Sequence, residues 1–260
     1  MSKSIVATHI VLRALGVFVL YGGIVLVSSL FTFEPSSTPL FWPANAIVLV
    51  IMLYSTKERA WIYLGSACLG YFVYLFYYDM FEFWPSWLLT ASNGIEIVAG
   101  YVLIQRFASK PLQFKRLRNS IELIVYGVIL NSVVGATAGT ILMSNVWEAP
   151  TVINWSIWFG TAAIGHLMVL PVMISWISSE GTDFTRAQII EALLICTFCL
   201  FASLLIFFAD RDRPFVYPYI AFPVLLLSAL RFDMRITSFA FLMFITISSI
   251  GSSQGFGPFA

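Results

Sequence analysis

The sequence predicts an all-α membrane protein, a polytopic transmembrane helical bundle of about nine spans. Sixty per cent of its 260 residues are apolar and only 10% are charged, and the mean hydropathy is +0.90. A soluble domain carries roughly a quarter charged residues. Lipid must therefore cover the outside of this chain, because too few polar groups are available to face water.

Nine apolar segments approach the ~20 residues that a helix needs to cross ~30 Å of hydrocarbon. The first is too long for the apolar part of a signal peptide and lacks a clear cleavage site, so we expect it to be retained. The second and eighth are short and begin with an aromatic-proline step, Trp42-Pro43 and Phe222-Pro223. Proline suits the first turn of a helix, so each is either entered from a re-entrant segment or is a short span in a thin region. The segments lie at about 10–31, 41–54, 60–78, 86–105, 120–143, 153–177, 188–209, 216–230 and 236–251.

Basic residues mark one side of the membrane. Apart from Arg211 and Arg213, every Lys and Arg lies near the N-terminus or in a loop that follows an even-numbered segment. Loops rich in Lys and Arg remain in the cytoplasm. The pattern therefore predicts a cytoplasmic N-terminus, with the acidic and aromatic loops on the outer side.

This topology has a consequence for the end of the chain. Nine spans that start in the cytoplasm leave residues 255–258 outside, whereas a protein that reports to the cytoplasm needs one more span. We therefore expect residues 1–260 to form a single integral membrane domain within a longer protein. If that protein reports to the cytoplasm, a last span would follow.

Four polar residues lie deep in the predicted spans, where such groups are costly and often functional. Glu96 lies ~14 Å along its helix from the outer Trp87, and Asn93 is one turn away on the same face. His166 lies ~18 Å into the sixth span, and Asn131 reaches a comparable depth in the fifth. The sequence therefore predicts that these side chains share one layer.

Two interpretations of this layer remain open. In the structural one, Glu96 is protonated or paired with His166 and holds the bundle together, since interhelical polar bonds are worth ~0.6–2 kcal/mol. In the functional one, which we favour because packing rarely requires a carboxylate, the groups line a pocket that binds a ligand or responds to protons. Glu96 and His166 would then interact, with Asn93 and Asn131 orienting them.

Two tryptophans in the sixth span are also ambiguous. Trp155 and Trp158 belong either to the aromatic belt at the outer interface or, because they follow helical spacing toward His166, to the wall of this pocket.

Enzymatic, metal and nucleic-acid functions have no support in the sequence. It contains no Gly-x-Ser-x-Gly elbow, no His-Glu-x-x-His motif and no phosphate loop. Cys68, Cys196 and Cys199 lie inside apolar segments, and no second ligand pair accompanies the last two. A net charge of +1, with its basic residues in short loops, does not favour nucleic acid. We expect no catalytic residues, no metal and no cofactor.

Several short motifs follow one another along nearly the whole chain. They are Phe41-Trp42-Pro43-Ala44; Asn93 with Glu96; Trp155-x-x-Trp158, Gly165 and Pro171; Pro218-Tyr219-x-x-Phe222-Pro223 and Ala229-x-Arg231-Phe232; and Gly255-x-Gly257-Pro258-Phe259. In their order and spacing, these motifs resemble the first-described class of membrane-associated sensor domains (the MASE type) of bacterial signalling proteins.

The resemblance implies an input module in the bacterial inner (plasma) membrane that regulates a cytoplasmic diguanylate cyclase, cyclic-di-GMP phosphodiesterase or histidine kinase of a two-component system. Such outputs act as dimers, so it also implies a homodimer. A last span beyond Gly257 and Pro258 is implied too, in agreement with the charge pattern. The family usually has an acidic residue four positions after Trp158, where this chain has Ala162, and His166 one turn later suggests a different pocket chemistry.

We therefore interpret residues 1–260 as a single, multi-pass integral membrane sensor domain, followed in the longer protein by a last span and a cytoplasmic output domain. Its partners would be the lipid bilayer, an unidentified small-molecule ligand at the outer-leaflet side and a cytoplasmic output domain or signalling partner. A transporter or substrate-binding membrane subunit is one alternative, because deep polar residues and short proline-containing helices are typical of transporters. A membrane scaffold without a ligand is the other.

Overall fold

The computed structural model describes residues 3–33, 38–78, 82–114, 116–144, 146, 151–178, 184–208 and 218–256. These residues form nine helices, with the continuous run from 117 to 143 taken as one, and a pair of two-residue antiparallel strands. The elements are α1 (Lys3–Ser29), β1 (Thr32–Phe33), β2 (Thr38–Pro39), α2 (Pro43–Leu53), α3 (Lys57–Tyr77), α4 (Phe83–Phe107), α5 (Leu117–Met143), α6 (Thr151–Ile177), α7 (Arg186–Phe208), α8 (Pro218–Arg231) and α9 (Met234–Ser253).

Seven of the described helices are long and apolar enough to cross a membrane, namely all except α2 and α8. The predicted class, a polytopic helical bundle, is confirmed, and each predicted segment coincides with one helix. The two short segments are the two short helices, with 11 residues in α2 and 14 in α8. The described lengths correspond to ~16 Å and ~21 Å, which is less than the ~30 Å thickness of the hydrocarbon layer. The cytoplasmic location of the N-terminus stays a prediction.

The two aromatic-proline steps play different parts. Pro43 lies in the first turn of α2, as predicted. Pro223 instead lies inside α8, which begins at Pro218. Since proline has no N–H, Pro223 leaves the carbonyl of Tyr219 without its helical donor.

The chain divides into two compact units. The first comprises Met1–Leu30, Phe41–Pro111 and Lys115–Leu170. In this unit α1 packs against α3, α4 packs against the second half of α5, and α2 lies against both α3 and α4. Glycine permits the close approach of α1 and α3, because a Cβ at Gly70 would lie 2.6 Å from the carbonyl oxygen of Phe18.

Helix α5 contains a π-helical segment, Leu123–Ile129, between α-helical turns. A π segment accommodates an extra residue and is frequent at functional sites. It therefore changes the face on which the residues after it lie. Asn131 comes two residues later, and Gly127 within the segment lies close to Leu170, which a Cβ would approach to 2.8 Å.

The second unit comprises Phe31–Leu40, Leu112–Phe114 and Pro171–Ala260. Its helices α7, α8 and α9 all pack against one another. Gly251 of α9 lies against Phe207 of α7, and a Cβ there would come within 2.7 Å of the Cβ of Phe207. The apolar core of this unit is formed by Cys199, Ile206, Phe207, Ala221, Val224 and Ala240.

Charged side chains join the helix ends of the second unit. Arg231 at the end of α8 donates two hydrogen bonds to Glu191 of α7, at 2.8 Å and 2.9 Å. Asp233 caps α9 by accepting a hydrogen bond from the backbone N–H of Arg235. The buried guanidinium of Arg235 lies 4.2 Å from the ring centre of Phe184.

Candidate functional site

Three ionisable or amide side chains meet inside the first unit, each with 0% of its surface exposed. They are Glu96 from α4, Asn131 from α5 and His166 from α6. The structure therefore brings together three of the four polar residues that the sequence placed in one layer. We call these three residues the buried polar cluster.

Both ring nitrogens of His166 have partners. Nε2 lies 2.9 Å from the amide nitrogen of Asn131, and Nδ1 lies 2.8 Å from the carbonyl oxygen of Ala162. The Asn131 amide donates to Nε2, so the proton of a neutral ring is on Nδ1 and is donated to Ala162. The hydrogen bonds therefore fit an uncharged imidazole.

Glu96 lies next to this ring but is poorly bonded. Its Oε1 is 3.5 Å from His166 Nδ1. Asn45 and Trp158 are its other polar neighbours, yet neither carboxyl oxygen accepts a hydrogen bond of good geometry from the described residues. A buried carboxyl group with so few donors is unusual and calls for an explanation.

Glycines on α4 and α5 make room for side chains of the neighbouring helices at the cluster. A Cβ at Gly135 of α5 would lie 2.6 Å from the carboxyl carbon of Glu96, and one at Gly100 of α4 would lie 2.9 Å from Cγ of Asn131. Gly139 does the same for the ring of Trp158, where a Cβ would lie 2.6 Å from Cε3. The cluster is thus enclosed by closely packed backbone.

Asn93, the fourth residue of the predicted layer, contacts α2 rather than Glu96 or His166. Its Oδ1 accepts a 2.7 Å hydrogen bond from Asn45, and its amide donates to the carbonyl of Leu89. Asn45 Oδ1 in turn accepts hydrogen bonds from Tyr21 Oη at 2.6 Å and from Trp42 Nε1 at 3.2 Å. Asn45 therefore links α1, α2 and α4.

The start of α2 is also tied to α6. The backbone N–H of Trp42 donates to the carbonyl of Thr161 at 3.1 Å. Gly165 lies against the carbonyl of Trp42, where a side chain would clash. The two family motifs that contain Trp42, Pro43 and Gly165 thus meet in space.

The two tryptophans of α6 have different surroundings. Trp158 packs over Gly139 beside the cluster. Trp155 stacks on Phe159, with 5.3 Å between ring centres, and donates to the exposed Thr137 at 3.1 Å. Only Trp158 therefore lies against the cluster in this structure.

The remaining motif residues lie elsewhere. Pro171 is inside α6, Pro223 is inside α8, and Arg231 pairs with Glu191. Gly257 and Pro258 lie outside the described residues. No group of three His, Cys, Asp or Glu within the described part of the chain is arranged to hold a metal ion.

Sequence reasoning missed Asn45 and Tyr21. Asn45 could have been found, because it is the one polar residue in the apolar run of α2. Tyr21 gave no such signal, since tyrosine is common in membrane helices near the interface.

The chain was compared with known families, curated proteins and solved structures. The model of the MASE1 family matches residues 11–260. No curated protein and no solved structure matches the chain.

Proposed function

Because the chain belongs to the MASE1 family of membrane-associated sensor domains of bacterial signalling proteins, we propose that its buried polar cluster is the sensing site that sets the activity of a cytoplasmic output domain. The family establishes a membrane sensory domain. The location of the site and the nature of the output are the proposal.

Glu96 is the observation that carries this proposal. A carboxyl group enclosed by membrane helices is costly and is a functional candidate by default. A purely structural group would be expected to have its hydrogen-bonding atoms satisfied, whereas both oxygens of Glu96 lack donors of good geometry among the described residues. The unsatisfied carboxyl group supports a site that changes state.

The contacts of the first unit offer a route from such a change to the helices. Glu96 is on α4, His166 on α6 and Asn131 on α5, and Asn45 bonds α2 to both α1 and α4. An input shifts a conformational equilibrium only by the difference between its interaction free energies with the two conformations. A change at Glu96 would act on these helix contacts directly.

We further propose that the output is a diguanylate cyclase, a cyclic-di-GMP phosphodiesterase or a histidine kinase. The protein would act in the bacterial inner membrane, as a homodimer, with a cytoplasmic N-terminus. The charge distribution of the loops supports this orientation, because all Lys and Arg residues except two lie on one predicted side.

The proposal is tested in the full-length protein with Glu96→Gln, which removes the ionisable group but keeps the shape. Glu58→Gln, which alters an exposed acid at the start of α3, is the matched control. Coupling between two sites is typically worth 1–3 kcal/mol, so we expect output activity in membrane vesicles, measured across a range of pH, to differ between Glu96→Gln and the wild type by about 5-fold or more at one end of that range. Equal output from both variants and the wild type at every pH in that range, at equal protein levels, would reject a sensing role for Glu96.

A further inference from the structure

The buried polar cluster contains more hydrogen-bond acceptors than donors. Glu96 Oε1, Glu96 Oε2 and Asn131 Oδ1 are all buried and lack hydrogen-bond partners among the described residues. The hydroxyl of Ser132, the next residue on α5, is buried without a partner as well, but it can act as donor or acceptor. What Glu96 lacks is a well-placed donor, because Asn45 and Trp158 lie near it without a hydrogen bond of good geometry to either carboxyl oxygen.

His166 does not supply a positive charge. Its Nε2 accepts from the Asn131 amide, and its Nδ1–H donates to Ala162. An imidazolium would direct a second N–H against the amide N–H of Asn131. The neutral ring satisfies both contacts.

No other described group that faces Glu96 supplies a positive charge either. Within the described part of the chain, His166 is the only basic side chain whose nitrogen lies within 4.0 Å of the carboxylate. Helix α1 contributes Tyr21, with Tyr71 and Cys68 of α3 close to it. Phenols and thiols are ordinarily neutral at pH 7. Asn45 of α2 and Asn131 of α5 do not ionise.

An ionised Glu96 would therefore be a buried charge with neither a cation nor adequate hydrogen bonds. Such a charge is so costly that buried groups normally neutralise instead. We infer that Glu96 is a proton-binding site, and that gain and loss of this proton is the signal to which the domain responds. The signalling role of this proton rests on the proposed function, whereas the protonation of Glu96 is argued independently of it.

The size of the site favours a proton over an organic ligand. Glu96, Asn131 and His166 are fully buried, and the facing Gly100 and Gly135 leave no space even for a methyl group. A cavity of about 400 Å³ does exist in the second unit, but it is lined by apolar side chains and one tyrosine: Ile195, Phe198, Tyr219, Pro223, Val224 and Leu227.

Deprotonation has a defined consequence at His166. The O–H bond of the Glu96 carboxyl breaks, its electron pair stays on the oxygen, and the proton passes to bulk water. The Nδ1–H of His166 then has two acceptors, the Ala162 carbonyl at 2.8 Å and a charged Glu96 oxygen at 3.5 Å. Hydrogen bonds to charged groups are the stronger ones. The ring therefore turns toward Glu96 and weakens its bond to the backbone of α6.

Infrared spectroscopy of the purified full-length protein tests the protonation directly. A protonated carboxyl group has its own C=O band, and exposed acids are ionised at pH 7. We expect such a band at pH 7 in the wild type and in Glu58→Gln, and its loss in Glu96→Gln. In both of these proteins, labelling with ¹³C-glutamate should shift the band, and raising the pH should remove it reversibly. Absence of the band at pH 7, or its persistence in Glu96→Gln, would overturn the inference.

The output assay separates this inference from the proposed function. We expect wild-type output to change over the pH range in which the band disappears. Glu96→Gln should hold the low-pH output at every pH, because glutamine keeps a neutral donor at this position. A band assigned to Glu96 with an output unaffected by pH would overturn the signalling role and leave the proton site. An output that depends on Glu96 without any such band would overturn the proton site and leave the sensing function.

Discussion

Glu96 of α4 lies directly over Gly135 of α5, and the relationship is reciprocal. Asn131, one turn before Gly135, lies over Gly100, which is one turn after Glu96. Each polar side chain thus occupies the space that a Cβ on the facing helix would need. The cluster and the close packing of α4 on α5 therefore depend on each other.

This packing predicts a specific cost for Gly135→Ala. The new methyl group would overlap the Glu96 carboxyl group, and overpacking of this kind costs about 1–3 kcal/mol. Gly160→Ala is the control, because a Cβ at Gly160 meets no atom within 4 Å and alanine gains about 0.5–1 kcal/mol over glycine in a helix. Thermal unfolding in detergent should show a lower Tm for the first variant only. Similar Tm values for both would contradict the described packing.

The contact between Glu96 and His166 predicts an energetic coupling. A double-mutant cycle with Glu96→Gln and His166→Gln should give a coupling free energy near the ~0.6 kcal/mol average for polar pairs in membranes, and no more than ~1.7 kcal/mol. The same cycle with Glu122→Gln should be additive, because Glu122 lies ~14 Å along α5 from Asn131 and bonds instead to Arg118 and Ser109. Strict additivity for positions 96 and 166 would contradict the interaction.

Asn45 is predicted to stabilise the first unit more than any single one of its partners. Asn45→Ala would leave Tyr21 Oη and Asn93 Oδ1 buried without their present partners, at about 1–3 kcal/mol for each such group. Tyr21→Phe removes one hydrogen bond and should cost only about 0.5–1.5 kcal/mol. Tm measurements on both variants test this order. The reverse order would show that the Asn45 bonds contribute little.

The charge pattern predicts the orientation of the loops. Alkaline phosphatase is active only outside the cytoplasm, so a fusion within the α4–α5 turn at Lys110 should be inactive. A fusion before α4 at Glu82 should be active, on the opposite side of the membrane. The Lys110 site follows the basic residue Arg106 and precedes Arg118. Activity at Lys110 would reverse the proposed topology.

The helices were predictable because a membrane imposes strict length and polarity requirements on each span. Glu96, Asn131 and His166 stood out for the same reason, as polar groups within apolar runs. Other features depend on tertiary contacts that no pattern reports. Asn93 turns to Asn45, and Trp155 and Trp158 differ by their position around one helix. The sequence predicts Pro223 at a helix start, whereas the described helix already includes Pro218, five residues earlier.

The π-helical segment of α5 sets the rotation of the second half of this helix relative to the first. If Leu123–Ile129 tightened into ordinary α-helical turns, the part that carries Asn131 would twist by about 100° and slide by about 1.5 Å relative to the part that carries Arg118. Asn131 would then lose its place between Gly100 and His166. The pairing of α5 with the cluster thus depends on one extra residue in its first half.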